Sequence, residues 1–458
     1  MTLHTTRRWV STAAILLLTT VSVHPYQVPA IGARPTPTAE QRKEDVAAFR
    51  TKFLAVDKSY APAARADAER RLSALEAQVA TISEPAFELE LARIVALADN
   101  GHTHYVLSSI SRYYNRVPVR LSAFGDQFAV VRAQQPHADL LGATLQSIDG
   151  HPIEELRKAG RALWGGVDLY RDKFSPNLFE SPDLLHASGL AAASGVATYR
   201  FVSPSGAVIE RALTGEAATD SRPFASPVQM RYPARLTLED ASWQTALSAE
   251  KAPWSLQEGT EPFRWRHAPE LQAVVIQFRQ NVDGEGHKIA DAIKMFQAAI
   301  AERKPTHLVL DMRDNGGGNL NQTRDFMQSL PTLVSGRIFV LTSPLTFSAA
   351  ISSVGYLKQA GKERVTIVGE PVGDRLMFFA EGRGADLPNT RGMIGLATQR
   401  HDYAGGCKEY TDCHGSVVRA PIAVSSLQPN IAAPWTVAAY MAGRDPAMEA
   451  VAAALKGK

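Results

Sequence analysis

The stretch Thr306-His-Leu-Val-Leu-Asp-Met-Arg-Asp-Asn-Gly-Gly-Gly318 opens the part of the chain whose reading decides the fold. The apolar run His307 to Leu310 breaks at Asp311 into a glycine cluster. A second run, Arg337-Ile-Phe-Val-Leu341, ends at Thr342-Ser-Pro-Leu-Thr-Phe-Ser-Ala-Ala350 and leads into a helix-like segment. A third, Arg364-Val-Thr-Ile-Val368, ends at Gly369-Glu-Pro-Val-Gly373. Short continuous apolar runs, each followed by a glycine or serine loop and then a helix, predict successive βα units around a buried sheet. In such sheets the chemistry sits on loops at the carboxyl ends of the strands. Ser348 begins the helix after the second strand, which places its hydroxyl beside free N–H groups and the positive end of the helix dipole.

Working outward, Leu271-Gln-Ala-Val-Val-Ile-Gln-Phe278 predicts the first core strand, and a helix is expected over His287 to Glu302. Upstream, Gln41 to Ala98 reads as helical, with Val46, Phe49 and Phe53, then Leu72, Leu75 and Val79, at helix spacing. Its last helix delivers the chain to Asp99-Asn-Gly-His102. From Val117 the pattern changes to short strands at Val119–Leu121, Gln127–Arg132 and Ala143–Ile148, with a hairpin at Tyr199–Ile209. Between these lies an aromatic-bearing excursion, Ala162 to Ala193, with Trp164, Tyr170, Phe174 and Phe179. A last amphipathic helix is expected near Pro446 to Leu455.

The 458-residue chain is longer than one ordinary domain. Its net charge of +3 gives no footprint for a nucleic acid, and no basic stripe interleaved with aromatics occurs. Arg7-Arg8, the apolar run Trp9 to Val23 and the small-residue sites Val28-Pro-Ala30 or Ile31-Gly-Ala33 read as an export signal. The protein is therefore expected to be secreted or periplasmic, with no membrane contact beyond export unless the signal stays on as an anchor. Cys407 and Cys413 bracket a short polar loop, and an even cysteine count in an exported protein predicts a disulfide. The rival reading joins them with His401 and His414 as a metal site, but that spacing matches no standard zinc pattern. No cofactor and no metal are expected.

These residues resemble the C-terminal processing (tail-specific) serine peptidases and the related tricorn core proteases. Asp311–Gly318 is similar to that family's Asp-x-Arg-x-Asn-Gly-Gly-Gly signature, Thr346-Phe-Ser-Ala-Ala350 to its nucleophile segment, and Val368-Gly-Glu-Pro-Val-Gly373 to the loop that follows. Asp386-Leu-Pro388, Gln428-Pro-Asn430 and Gly443-Arg-Asp-Pro446 resemble later elements. Leu97-Ala-Asp-Asn-Gly-His-Thr103 looks like its Asp-x-His-Thr segment, with Asn100 where the Asp belongs. The resemblance runs from Ala80 to Lys458 in preserved order. It implies an α/β fold, a crotonase- and Clp-protease-like ββα spiral core, flanked by a helical N-terminal region and a PDZ-like β unit. The expected division is a signal peptide over 1–33, a helical region over 34–115, a PDZ-like domain with an insertion over 116–213, and a catalytic core over 214–458.

The resemblance also implies an exported serine endopeptidase acting on extended or unfolded polypeptides. Ser348 would be the nucleophile, and Gly317 (or Gly316) and Ala349 would supply the oxyanion donors. Many relatives use a lysine base after the serine, but here that region reads Gly373-Asp-Arg-Leu376. Arg375 cannot serve, because a guanidinium does not deprotonate in proteins. The tricorn-like branch points instead to His102 as base, with His104 as the nearby rival and Glu381 as the supporting carboxylate. That branch has a serine before its histidine where this chain has Gly101, so Glu381 is expected to reach His102 directly or through a group such as Thr103. The missing lysine supports one alternative: a catalytically silent binding protein on the same scaffold, holding an apolar ligand or a peptide.

Overall fold

The computed structural model describes residues 36–106, 113–217, 226–236, 239–408 and 411–456. The expected export signal lies outside them. The core is a six-stranded sheet in the order Ile431–Ala432, Val365–Gly369, Ile338–Thr342, His307–Asp311, Ala273–Phe278 and Phe263–Ala268. All neighbours run parallel except the last pair. A parallel sheet is covered on both faces, so its strands read as unbroken apolar runs rather than alternating ones. Val274, Ile276, Leu308, Leu310, Ile338 and Val340 point into the main core shared with the helices Ile289–Arg303, Arg324–Leu333 and Ala349–Gly361. Val275, Val309, Phe339 and Leu341 point the other way, onto Ala447 and Val451 of the closing helix Pro446–Lys456. The mixed helix-and-sheet architecture is that of an α/β protein.

The upstream β unit is an antiparallel sheet in the order Val119–Phe124, Gln127–Gln134, Thr144–Ile148, Val196–Val202 and Val208–Thr214. Trp243–Thr245, beyond the expected 213/214 boundary, pairs with Arg132, Ala133 and Gln134 of the same sheet. The N-terminal helices are Ala39–Ala48, Pro62–Glu76 and Glu84–Ala96. The first continues as a π-helical segment, Phe49–Leu54, which the helix spacing in the sequence did not distinguish from regular helix. Two buried carboxylates tie this region to the core. Asp45 accepts from the Thr390 N–H and hydroxyl, and Asp57 accepts from Ala397 N–H at 2.7 Å.

The signature residues Asp311 and Arg313 form a buried clamp with the tail. Arg313 bonds Asp311 and, through two further bonds of 2.8 and 2.9 Å, Asp445. Cys407 and Cys413 are joined in a disulfide with a Cα separation of 5.8 Å. Among the described residues no helix is long and apolar enough to cross a membrane.

Candidate active site

The strand Ile338–Thr342 ends in a loop that is held from several sides. Thr346 donates to Met312 O and accepts from Ser343 N–H, Phe347 N–H bonds Asn315 O, and Gly373 N–H bonds Thr346 O. The loop delivers Ser348 at φ 55°, ψ −126°, a backbone conformation that is costly for a residue with a side chain. Ser348 precedes the helix Ala349–Gly361, yet its hydroxyl makes no capping bond, which removes the ordinary N-cap role for this serine. A strained serine on a strand-to-helix turn is the arrangement that exposes a hydroxyl as a nucleophile.

The glycine cluster lies against this turn. A Cβ on Gly317 would stand 2.5 Å from Ser348 Cβ and 2.9 Å from Ala349 N, and Gly317 has φ +101°. Only glycine fits there. The structure thus brings Gly317 and Ala349 to Ser348. Gly317 N–H, however, already donates to Asn315 Oδ1 at 2.9 Å, whereas Gly316 is exposed with open space over its α-carbon. Asn315 is a residue the sequence reading passed over. It is fully buried, and it holds Phe278 O, Asn281 Oδ1, Phe347 N–H and Gly317 N–H together.

His102 follows the helix Glu84–Ala96 on a turn opened by Asp99 at φ 49°. Asn100 fixes that turn to the neighbouring strand by donating to Phe379 O at 2.9 Å and accepting from Phe379 N–H at 3.0 Å. The imidazole is clasped between Phe347 (centroids 4.4 Å apart) and Phe378 (5.2 Å). Phe347 is the residue immediately before Ser348. Burial holds its pKa down to about 3, helped by His401 and His104 and opposed by the negative field of Glu381. Burial thus disfavours the charged imidazolium and favours the neutral ring.

The group facing His102 is Asp374, which the sequence reading did not single out. Its Oδ2 lies 4.0 Å from His102 Nδ1. Both atoms, and His102 Nε2 as well, are buried without a hydrogen-bond partner. A buried polar atom without a partner calls for an explanation, and a functional role is one of them. Burial pushes the Asp374 carboxyl up to about 6, against the opposing pull of Arg375. A Cβ at Gly101 would come 2.8 Å from the Phe347 ring and 3.0 Å from Asp374 Oδ2. The carboxylate thus stands beside Gly101, the residue ahead of His102.

The remaining candidates are placed elsewhere. Glu381, at φ 60°, puts its carboxylate 3.3 Å from His401 Nε2 and within 4.0 Å of neither nitrogen of His102. The Thr103 hydroxyl engages Asp57, Ser59 and Asn100, so it does not bridge His102 to Glu381. His104 is stacked on Trp164 and bonded to Gly101 O. Arg375 pairs with Asp99. Gly373 has no room for a side chain: a Cβ there would lie 2.2 Å from Pro344 O and 3.0 and 3.1 Å from Phe347 and Tyr170. The aromatic excursion also has a function in the site. Tyr170 stacks on Phe347 at 4.3 Å, and Trp164 on Phe174 at 3.9 Å, so the segment walls the histidine turn.

No family model matches the sequence. No curated protein matches it either. Solved structures do match. Mature CPAF in complex with lactacystin superposes with a TM-score of 0.55 at 13% identity, covering 91% of this chain and 98% of the other. Mature CPAF alone gives 0.54 at 13%, covering 91% and 97%. The chain shares their fold. A photosystem II D1 C-terminal processing protease aligns over 90% of this chain and 99% of its own at 14% identity, with a TM-score of 0.37.

Proposed function

We propose that this chain is an exported serine peptidase that hydrolyses extended or unfolded polypeptides, with Ser348 as nucleophile and His102 as base. The observation that carries the reading is a strained, uncapped Ser348 directly after Phe347, on whose ring the clasped His102 is stacked, with His102 Nδ1 facing Asp374 Oδ2 at 4.0 Å. His102 takes the Ser348 proton on Nε2 while Asp374 accepts from Nδ1–H and steadies the imidazolium as it forms. The Ala349 N–H and a glycine N–H of the Gly316–Gly317 turn face the developing oxyanion. Glu381 supports His102 through space, since its negative charge raises the imidazole's basicity. The motif order of the sequence and the shared fold support the same reading.

The test is hydrolysis of an unfolded protein substrate by the purified chain and by Ser348→Ala. Cleavage by the wild type that is lost in Ser348→Ala supports the proposal. Cleavage that persists in the variant overturns the nucleophile, and absence of cleavage in both, with an apolar ligand retained by the purified protein, favours the silent binder.

A further inference from the structure

The strand pair Met377–Ala380 and Gln399–Asp402 sets Phe378 opposite His401 and leaves Glu381 just past the strand end, over the His401 ring edge. The disulfide Cys407–Cys413 then folds the following loop back so that His414 N–H bonds Arg400 O at 2.9 Å, which stacks the His414 ring on His401 with centroids 5.2 Å apart. Three side chains from separate parts of the sequence meet here. One ligand atom each from Glu381, His401 and His414 lies within 4.8 Å of the others.

The hydrogen bonds behind these rings decide which nitrogens are free. His414 Nδ1 is 2.6 Å from Gln399 Oε1, and an amide oxygen only accepts, so Nδ1 carries the proton and Nε2 keeps its lone pair. His401 Nδ1 is 2.9 Å from the Tyr403 hydroxyl, which is itself bonded to Ser352 Oγ. His401 is 2% exposed, and its Nε2, buried and without a hydrogen bond of good geometry, faces the Glu381 carboxylate at 3.3 Å. Imidazoles whose inner nitrogen is pinned by an oxygen partner, with the outer one bare, have the outer-shell pattern of metal ligands. Tetrahedral ligands held about 2.0–2.1 Å from zinc lie about 3.3–3.4 Å apart, which is the Glu381–His401 spacing.

We infer that Glu381, His401 and His414 form a binding site for a zinc ion, with two imidazoles and one carboxylate as ligands. The Glu381 side chain is 41% exposed, so the fourth position opens to solvent. The cysteines of the rival sequence reading take no part, because their sulfurs are bonded to each other; the disulfide's contribution is to place His414.

The site shares Glu381 with the peptidase reading, so it is tested by metal uptake, which needs no hydrolysis, in the Ser348→Ala protein after removal of metal with a chelator. Equilibrium dialysis against micromolar Zn²⁺ should give one ion per chain, and Co²⁺ should give visible absorption bands of a four-coordinate nitrogen and oxygen site. Gln399→Ala, which removes the partner of His414 Nδ1, should weaken Zn²⁺ binding about 10–100-fold. His414→Ala and Glu381→Gln should weaken it at least as much, with unchanged thermal melting of the metal-free proteins. These half-buried and exposed positions carry the test if the buried His401→Ala variant fails to fold. Failure of the chain to take up stoichiometric Zn²⁺, or uptake that survives both His414→Ala and Glu381→Gln, would overturn the site.

Discussion

Asp374→Asn separates catalysis from stability in one substitution. The Asp374 side chain is 1% exposed, and its carboxyl is pushed from its ordinary 3.8 up to about 6, with burial as the main cause. Between those values the folded state holds the proton more tightly than the unfolded state. The stability that Asp374 contributes below pH 3.8 is therefore lost as pH rises through about 6. At 1.36 kcal/mol per pH unit, the ionised carboxylate costs the fold about 3 kcal/mol at pH 8. Asparagine keeps the shape and the bond from Arg375 N–H without the charge. Urea unfolding should then show Asp374→Asn gaining on the wild type by about 2–3 kcal/mol between pH 4 and pH 8. Peptidase turnover should move the other way, falling by a factor on the order of 10²–10⁴, because the imidazolium loses its carboxylate. Wild-type activity should decline as pH falls through about 6, where Asp374 protonates, while His102 remains neutral down to about 3. A variant with wild-type turnover, or a stability difference that does not change with pH, would refute the assignment.

His102→Ala should reduce turnover by a factor on the order of 10²–10⁴ in steady-state assays. Lys358→Ala and Lys362→Ala should leave turnover near wild type, since Lys358 Nζ is spent on carbonyls at the helix end; the reverse pattern would assign the base to a lysine. Gly317→Ala puts a methyl 2.5 Å from Ser348 Cβ and a side chain at φ +101°, so it should cost about 1–3 kcal/mol of stability and abolish measurable cleavage. Retained activity would move the oxyanion site away from the glycine turn. Mass mapping without reductant should recover Cys407 and Cys413 in one bridged fragment, and two free thiols in exported protein would contradict the disulfide.

The core was legible because a parallel sheet buries both faces of its strands. The runs at His307–Asp311, Ile338–Thr342 and Val365–Gly369 are mostly apolar and buried along nearly their whole length, and the glycines and Ser348 fall after their ends. The turn that carries His102 was legible from a local motif. Asp374 was not, because nothing in Gly373-Asp374-Arg375 signals burial; its place follows from the Gly373–Thr346 bond and the close approach of Gly101. The signal available was the glycine pair itself, Gly101 and Gly373, each with no room for a side chain. Glu381 was assigned by position in a motif, but its nearest partner depends on strand register, which sets His401 rather than His102 beside it. The aromatic wall of Trp164, Tyr170 and Phe174 reaches the site only through tertiary packing, so its place there left no sign in the sequence.

The central claim is that Ser348 is an activated nucleophile, and covalent labelling measures this directly. The purified protein is incubated with a serine-reactive phosphonate at pH 8, and the adduct is located by peptide mass mapping. The structure predicts one adduct, on Ser348, that forms far more slowly in His102→Ala and Asp374→Asn and is absent from Ser348→Ala. An unmodified Ser348 in protein that cleaves peptides, or an adduct on another serine, would contradict it.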